Sequence, residues 1–361
     1  MGYPDTFQGY MIESQKDWST FKKQEFKPKP FGDNDVDIKI EACGVCSSDV
    51  HTISGGWGEC TLPLCVGHEV VGKVINTGKK VSTLKKGDRV GVGAQIYACL
   101  ECRICKSDNE NYCPHQVDTY NAPYPDGTIS QGGYSSHIRA HEYFTFPIPD
   151  SIPSELAAPM FCAGLTSYSP LVRAGTGPGK KVAILGIGGL GHYGVMFAAA
   201  LGAETYAISH SPSKKDDALA LGAKEFIYSG AKDWAKPWDK TFDFILNTAD
   251  VTDTFNMTDY MGTLAVNGTF HNVGLPDKPL PQISAFDFMS NGCSIGGSHI
   301  GSRPEVLAML KLASTANLKS WVETIDISEK GCKEAVERVS KGDRVRYRFT
   351  LTGYDKAFPN A

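Results

Sequence analysis

Four cysteines lie in one short stretch of this chain and have a spacing typical of metal ligands. Cys99, Cys102, Cys105 and Cys113 form C-x2-C-x2-C-x7-C, which lets one lobe of backbone bring four thiolates to one ion. Structural zinc is usually held in a closed tetrahedral site of this kind. An iron–sulfur cluster also uses C-x2-C-x2-C, but its last gap is typically shorter, and disulfides would need an oxidising compartment. The spacing predicts a structural zinc site.

Three further residues of ligand type lie far apart in the sequence. They are Cys46 in CGVCSSDVH, His68 in VGHEVVG and Cys162 in PMFCAGLT. Each alone has an ordinary explanation, because buried cysteines are common core residues and a histidine can be satisfied within a core. As a set, two thiolates and one imidazole leave the fourth position of a zinc ion open, which is the composition of a catalytic zinc site.

A glycine-rich turn follows the apolar run VAIL. Gly186, Gly188 and Gly191 form G-x-G-x-x-G, with Gly189 and Leu190 inside the motif and an alanine-rich run after it. Between a strand and a helix, the first glycine permits the tight turn, the second lets a pyrophosphate approach, and the third allows close packing. The helix N-terminus then faces the phosphate charge. A glycine turn that only packs is the alternative, and the context predicts a dinucleotide site.

The end of the second predicted strand (205–209) indicates which dinucleotide binds. An NAD site has Asp or Glu there, about 20 residues after the glycines. This chain instead has hydroxyls and cations that accept a 2′-phosphate through charge-assisted hydrogen bonds. They are Ser209, His210, Ser211, Ser213, Lys214 and Lys215. The sequence therefore favours NADP(H); the alternative is that Ser211 only caps a helix (211–223) and the lysines are solvated.

The elements that must position these residues show two different patterns of predicted secondary structure. The N-terminal part is β-rich, with apolar or alternating runs such as VDIKIEA (36–42), VVGKVI (70–75) and DRVGVG (88–93). From residue 180 onward, strands and helices alternate, which predicts a doubly wound parallel sheet. We expect an α/β protein with a β-rich domain and a Rossmann-type domain.

Composition narrows the function classes. The chain has 361 residues, enough for about two domains, with 41% hydrophobic and 21% charged residues. A formal net charge of −4 does not indicate binding to nucleic acid or to an anionic membrane. No run approaches the ~20 apolar residues of a spanning helix, and no secretory signal is recognisable. Eleven cysteines in such a chain predict free thiols, metal ligands and a cytoplasmic location.

Several motifs together resemble a known family. GHEVVGKV with a later KKGDRV, the four-cysteine lobe and GIGGLG resemble a zinc-dependent medium-chain alcohol dehydrogenase. SQGGYSSHIR, GLTSYSPL and VRYRFTL are similar to the cinnamyl alcohol dehydrogenase branch, particularly its fungal NADPH-dependent type. The resemblance implies a homodimer joined through Rossmann sheet edges. It also implies a GroES-like catalytic domain split over 1–155 and 298–361, with the zinc lobe at 99–113, and a Rossmann domain at 156–297.

The resemblance implies roles for individual residues. The catalytic zinc ligands would be Cys46, His68 and Cys162, with Glu69 next to the ion. Asp49 would orient His68, and Ser48 and His51 would relay a proton. Cofactor contacts would come from Thr166 at the nicotinamide, Arg346 at the pyrophosphate, and Ser209, His210 and Lys214 at the 2′-phosphate, although fungal members carry arginine at the position of His210. By residue type rather than by the resemblance, Trp57, Phe286 and His299 are candidates to line an aromatic substrate cleft; the alternative is that they only pack.

The expected reaction is hydride transfer between NADP(H) and aromatic or medium-chain aldehydes or primary alcohols, with two zinc ions per chain. Three alternatives remain open at the sequence level. One is a zinc polyol or secondary-alcohol dehydrogenase, and another is a metal-free reductase of quinones or enones. The third is a dinucleotide-binding sensor without catalysis, which would need neither an open metal site nor a proton path.

Overall fold

The structure is a computed structural model that describes residues 5–249, 256–342 and 347–359. The chain divides into two compact units: Met1–Cys162 with Ser302–Ala361, and Ala163–Gly301. The predicted domain boundaries lie a few residues from these divisions. The difference changes the place of Cys162. This residue falls within the predicted Rossmann domain (156–297), but it ends the first stretch of the unit that also contains Cys46 and His68.

Between residues 5 and 162, the first unit has nine strands and two α-helices. They are β1 (Phe7–Ile12), β2 (Phe21–Phe26), β3 (Asp35–Val45), α1 (Ser47–Ser54), β4 (Glu69–Thr77), β5 (Arg89–Val92), β6 (Gln95–Tyr97), β7 (Val117–Asp118), β8 (His137–His141), β9 (Phe146–Pro147) and α2 (Ser154–Ala157). The second unit follows with α3 (Ala163–Arg173), β10 (Lys181–Leu185), α4 (Gly191–Ala200), β11 (Glu204–Ser209), α5 (Lys215–Ala220), β12 (Glu225–Tyr228), β13 (Phe242–Asn247), α6 (Met257–Thr263), β14 (Leu264–Asn272) and β15 (Ser294–Gly297).

The chain then returns to the first unit. This part contains α7 (Arg303–Thr315), β16 (Val322–Asp326), α8 (Glu329–Lys341), β17 (Arg348–Thr352) and α9 (Tyr354–Ala357). Short 3₁₀ helices cover Cys105–Ser107, Glu110–Tyr112, Glu142–Phe144, Ala158–Phe161, Pro212–Lys214, Lys236–Trp238 and Ala285–Phe288. None of the helices that the structure describes has the length and apolar character needed to cross a membrane.

β3 is the central strand of the first unit. Nearly all of its residues are buried, as expected for a strand covered on both faces. It belongs to a seven-stranded sheet with the order β16-β17-β3-β4-β5-β9, and β8 also pairs with β3. The pairs are antiparallel except β16–β17. Valines and isoleucines of these strands fill the core, which confirms the predicted β-rich domain.

The second unit has one six-stranded sheet with the order β12-β11-β10-β13-β14-β15, and every pair is parallel. The chain moves from β10 outward to β11 and β12, and then returns to β13 on the other side of β10. This reversal is the topological switch point at which doubly wound sheets bind ligands. The predicted Rossmann-type sheet is confirmed.

One predicted helix differs in detail. Residues 211–223 form a 3₁₀ turn over Pro212–Lys214 and then the short helix α5. Ser211 makes no capping hydrogen bond, because its hydroxyl faces that of Ser213 at 3.0 Å. The hydroxyls after β11 therefore pair with each other rather than with the helix amides.

Candidate active site

Cys46 is fixed at the junction of β3 and α1. It is the N-cap residue of α1, and Asp49 closes a capping box by accepting a hydrogen bond from the Cys46 amide at 2.9 Å. Cys46 is 4% exposed and Asp49 is fully buried. The strand end and the first helical turn therefore hold the Cys46 sulfur in one place.

His68 and Glu69 reach the same place through strand pairing. Gly44 in β3 lies opposite Glu69, the first residue of β4, so the carboxyl end of β3 and the amino end of β4 lie side by side. A Cβ atom at Gly44 would come within 1.9 Å of Glu69 Oε2. Glycine at position 44 is thus what leaves room for the Glu69 carboxylate.

Cys162 is positioned by the 3₁₀ helix Ala158–Phe161. The Phe161 ring packs against Gly91 of β5, where an added Cβ atom would lie 2.0 Å from the ring. Ligand atoms of Cys46, His68, Glu69 and Cys162 all lie within 4.8 Å of one another, and all four residues are buried. Three distant stretches of sequence therefore converge on one cluster within the first unit.

The cluster fits a zinc ion by the chemistry of its donors. Two atoms in it, His68 Nε2 and Glu69 Oε2, are buried without a hydrogen-bond partner among the described residues. Buried polar atoms of this kind normally have a partner, so both atoms are suited to a metal. Two thiols, one imidazole and one carboxylate form a donor set that zinc accepts.

Electrostatics within the cluster favour a thiolate. A hydrogen bond from Cys162, together with His68 and Arg348, lowers the pKa of Cys46 well below its usual value despite burial. Burial lowers the pKa of His68, but Asp49 and Cys46 outweigh it and raise that pKa to about 9. The hydrogen bond to Cys46 and burial raise the pKa of Cys162 well above its usual value, so the negative charge of the thiol pair lies on Cys46.

Arg348 is a residue of this site that sequence analysis missed. It begins β17, is 5% exposed and donates a hydrogen bond to Glu69 Oε1. Burial raises the pKa of Glu69 to about 7, and the charge of Arg348 opposes that rise. The same motif, VRYRFTL, suggested Arg346, which lies outside the described residues. No local pattern in the sequence indicates this ion pair, because Arg348 and Glu69 are 279 residues apart.

Asp49 connects the cluster to the surrounding backbone. It accepts hydrogen bonds from the amide of Gly67 at 3.2 Å and from the hydroxyl of Tyr134 at 3.4 Å. Its Oδ1 lies 3.6 Å from His68 Nδ1. This places the predicted orienting carboxylate on the imidazole edge remote from Nε2.

The two predicted relay residues lie on α1. Ser48 Oγ is 3.6 Å from the Cys46 sulfur, and His51 follows one helical turn later. The His51 ring is stacked on the indole of Trp57, with centroids 4.9 Å apart. Ser48 and His51 are both half-buried, whereas Trp57 is 45% exposed.

The four-cysteine lobe has the geometry of a tetrahedral site. The sulfur pairs Cys102–Cys105 and Cys99–Cys113 are separated by 3.5 Å, and Cys99–Cys105 and Cys102–Cys113 by 4.0 Å. Zinc–sulfur bonds of ≈ 2.3 Å give tetrahedral edges of about 3.8 Å. All eleven cysteines, each within the described part of the chain, are free thiols. The arrangement fits a zinc ion and not a disulfide, whose sulfurs are ~2.05 Å apart.

The glycine loop of the second unit requires two of its glycines. Gly186 has a φ of +86°, and a Cβ atom at Gly191 would lie 1.8 Å from the carbonyl oxygen of Gly186. Gly188 has open space where its Cβ would be. Leu190 is the N-cap of α4 and provides no side-chain cap, and Gly189 precedes it. The amide of His192 donates to the carbonyl of Gly188 at 3.1 Å, and the N-cap side chain caps none of the first-turn amides, which form the positive end of the helix and favour an anion.

The carboxyl end of β11 gathers the residues predicted for the 2′-phosphate. Ser209 is 5% exposed, and its hydroxyl accepts a hydrogen bond from the amide of Ser211 at 3.1 Å. Lys214 is 7% exposed in the 3₁₀ turn, and His210 is exposed. The sequence has no carboxylate here before Asp216.

The remaining predicted residues are spread over both units. Thr166 is half-buried in α3. His299 is half-buried after β15, and Phe286 is 77% exposed in the 3₁₀ helix Ala285–Phe288. Trp57 belongs to the first unit, and the other three belong to the second. A shared substrate cleft stays a prediction.

A doubly wound parallel sheet and a buried thiol–imidazole cluster in one chain define a metal-dependent dehydrogenase. Comparisons with known proteins specify the class. Residues 32–150 match the alcohol dehydrogenase GroES-like domain, and residues 189–315 match the zinc-binding dehydrogenase domain.

Among curated proteins, NADP-dependent alcohol dehydrogenase 6 of Saccharomyces cerevisiae is 49% identical over 360 residues, 99% of each chain. A mannitol dehydrogenase of Petroselinum crispum is 41% identical over 91% of this chain and 96% of its own.

Solved structures agree. A cinnamyl alcohol dehydrogenase from Sorghum bicolor matches with a TM-score of 0.90 and 35% identity, over 96% of this chain and 97% of that one. The enzyme of the same name from Helicobacter pylori, complexed with NADP(H), matches with a TM-score of 0.87 and 33% identity, over 96% of this chain and 98% of that one. The chain belongs to the zinc-dependent medium-chain alcohol dehydrogenases, in the cinnamyl alcohol dehydrogenase branch. The predicted family and enzyme class are confirmed.

Proposed function

We propose that this protein reduces aromatic and medium-chain aldehydes with NADPH and oxidises the corresponding primary alcohols with NADP⁺. The observation that carries the proposal is the buried cluster of Cys46, His68, Glu69 and Cys162, with two donor atoms that have no other partner among the described residues. A zinc ion in that cluster supplies a Lewis acid to the substrate oxygen, and a bound NADPH supplies the hydride.

The residues of the chain itself have distinct tasks in this proposal. Cys46, His68 and Cys162 hold the metal, and Arg348 beside Glu69 opposes the rise that burial causes in the pKa of that carboxyl group. The Ser48 hydroxyl, next to the Cys46 sulfur, donates a proton to the substrate oxygen during reduction. His51 replaces that proton from solvent, because imidazole exchanges protons near neutral pH. Trp57, Phe286 and His299 are proposed to line the substrate cleft.

NADP(H) is proposed over NAD(H) for two reasons. The end of β11 presents Ser209, Ser211 and Lys214 and lacks the carboxylate that would repel a 2′-phosphate. A relative at 49% identity is named as NADP-dependent. Gly186, Gly188, Gly189, Leu190 and Gly191 would cradle the pyrophosphate, with Thr166 at the nicotinamide and Arg346 as a further contact.

Two zinc ions per chain are proposed, the second at Cys99, Cys102, Cys105 and Cys113. A cytoplasmic location is proposed as well, because these thiols must stay reduced to bind metal. We further propose a homodimer formed through β15, an edge strand whose four residues are all exposed. Unpaired edges of this kind tend to pair with another strand, and Phe286 and Met289 nearby are 77% and 76% exposed.

Oxidation of polyols is a second candidate, favoured by the match to a mannitol dehydrogenase. One experiment separates the two and tests the proposal. Zinc content is measured together with initial rates for benzaldehyde and cinnamaldehyde, and for mannitol and sorbitol, each with the phosphorylated and the unphosphorylated cofactor. The proposal expects two zinc ions per chain and fast reduction of aldehydes with NADPH. Faster turnover of polyols than of aldehydes, or faster aldehyde reduction with NADH than with NADPH, would contradict the proposal.

A further inference from the structure

The imidazole of His68 is in contact with a second aromatic ring. The ring of Tyr120 stacks on it, with centroids 5.5 Å apart and an interplanar angle of 22°. Both side chains are buried, at 7% and 4% exposure. A stacked ring opposes rotation of the imidazole about its bond to Cβ, because that rotation would swing the imidazole into its neighbour. The Asp49 contact lies at the edge of the imidazole and opposes movement only in the plane of the ring.

Tyr120 also interacts with the carboxylate at that edge. Burial raises the pKa of Tyr120 and the charge of Asp49 raises it further, whereas Tyr120 opposes the rise that burial causes in the pKa of Asp49. Asp49 in turn accepts hydrogen bonds from the amides of Cys46 and Gly67. One tyrosine therefore stacks on the face of His68 and interacts with the carboxylate on its Nδ1 side.

The backbone around Tyr120 is tied to the elements that carry the other ligands. The amide of Thr119 donates to the carbonyl of Ala94 at 2.9 Å, and the amide of Asn121 donates to that of Ser130 at 3.0 Å. Ala94 follows Gly93, whose Cβ position is 2.7 Å from the carbonyl oxygen of Phe161, next to Cys162. The tyrosine thus belongs to the same rigid packing as the cluster.

From these contacts we infer that Tyr120 is a positioning residue, which holds the His68 ring so that Nε2 faces the thiols of Cys46 and Cys162. The inference rests on the proposed function, because it assumes that this cluster binds the catalytic ion. A residue that supports a ligand in this way typically contributes 10–100-fold to metal affinity.

The test uses the full-length, zinc-loaded protein. Tyr120→Met keeps most of the buried volume but has no planar face, and Tyr120→Phe keeps the face but loses the hydroxyl. Tyr124→Met is the matched control for the lost volume, because Tyr124 is also a buried tyrosine of the same core, 8% exposed, and its ring lies under the ammonium of Lys29. Zinc release to a chromogenic chelator is followed, with Cys46→Ser identifying the phase that belongs to the catalytic cluster. The visible spectrum of the cobalt-substituted protein reports the ligand geometry.

Tyr120→Met is expected to release that ion about tenfold faster, with a shifted cobalt spectrum. Tyr120→Phe should release it at most about threefold faster, a partial rescue by the ring. The control should match the parent. Parent-like release and spectra in Tyr120→Met would overturn the inference. If Tyr120→Met fails to fold, Tyr120→Leu, which also has no planar face, replaces it, and parent-like release and spectra in that variant would overturn the inference in the same way. A parent protein that binds no ion at the cluster would instead refute the proposed function.

Discussion

At the scale of single residues, the cluster depends on groups that are not metal ligands. Asp49 links the amides of Cys46 and Gly67, and so joins the end of β3 to the loop before β4. Arg348 donates to Glu69 from β17. Through Asp49 and Arg348, the segments that carry Cys46, His68 and Glu69 are tied to parts of the chain that are distant in sequence.

Replacement of Ser48 by alanine tests the proton path. We expect kcat for aldehyde reduction to fall about 100-fold, because a positioned proton donor contributes 10²–10⁴-fold. Zinc content and NADPH affinity should stay unchanged. Ser47→Ala, at an exposed position one residue earlier, is the control and should keep parental turnover. Near-parental turnover in Ser48→Ala would remove Ser48 from the path.

The buried ion pair of Arg348 and Glu69 makes a prediction about stability. Arg348→Met leaves a buried carboxylate without its partner, and this costs about 3 kcal/mol of unfolding free energy. The double variant Glu69→Gln, Arg348→Met should recover at least half of that loss. Lys22→Met breaks the exposed pair with Glu13 and should cost far less, because solvent screens an exposed ion pair. Equal losses for Arg348→Met and Lys22→Met in urea unfolding would contradict the account.

The ligand-type residues were predictable from the sequence, whereas most of their supporting contacts were not. Cys46, His68 and Cys162 could be proposed from residue type and family resemblance, and the resemblance also supplied Asp49 as the carboxylate that orients His68. Tyr120 and Arg348 could not be proposed, because stacking and ion pairing across strands leave no local pattern. Arg346, in the same short motif as Arg348, lies outside the described residues, and its predicted contact with the pyrophosphate stays a prediction.

At the scale of elements, strands and the glycine turn followed from apolar runs and motif spacing. The helix predicted for 211–223 was less regular, because its hydroxyls pair with each other and a 3₁₀ turn precedes α5. Local hydroxyl pairing competes with capping, and periodicity does not report it.

The glycine loop gives a prediction at this scale. Gly191→Ala should weaken NADPH binding at least about tenfold, and it should lower stability because its Cβ would meet the carbonyl oxygen of Gly186. Gly188→Ala should keep the thermal midpoint within about 2 °C of the parent, since space is open there, yet bind NADPH more weakly. Differential scanning fluorimetry and fluorescence titration measure both. Parental stability and affinity in Gly191→Ala would show that the loop does not need this glycine.

At the scale of the whole molecule, the exposed edge of the second unit predicts the assembly. Ile295→Lys, in β15, should convert the dimer into monomers, because a lysine on an edge strand opposes pairing. Tyr228→Lys is the matched control, since Tyr228 is similarly exposed on β12, the opposite edge of the sheet. Sedimentation velocity measures both. A parent that sediments as a monomer, or an Ile295→Lys variant that stays dimeric, would contradict the proposed interface.

The most direct test of the central claim removes the ion from the cluster of Cys46, His68 and Cys162 and leaves the fold intact. Dialysis against a zinc chelator should lower the zinc content from two ions to one per chain, with an unchanged circular dichroism spectrum. Reduction of cinnamaldehyde by NADPH should then fall at least about 100-fold and return when zinc is added back. Undiminished reduction by protein that has lost this ion would refute the account.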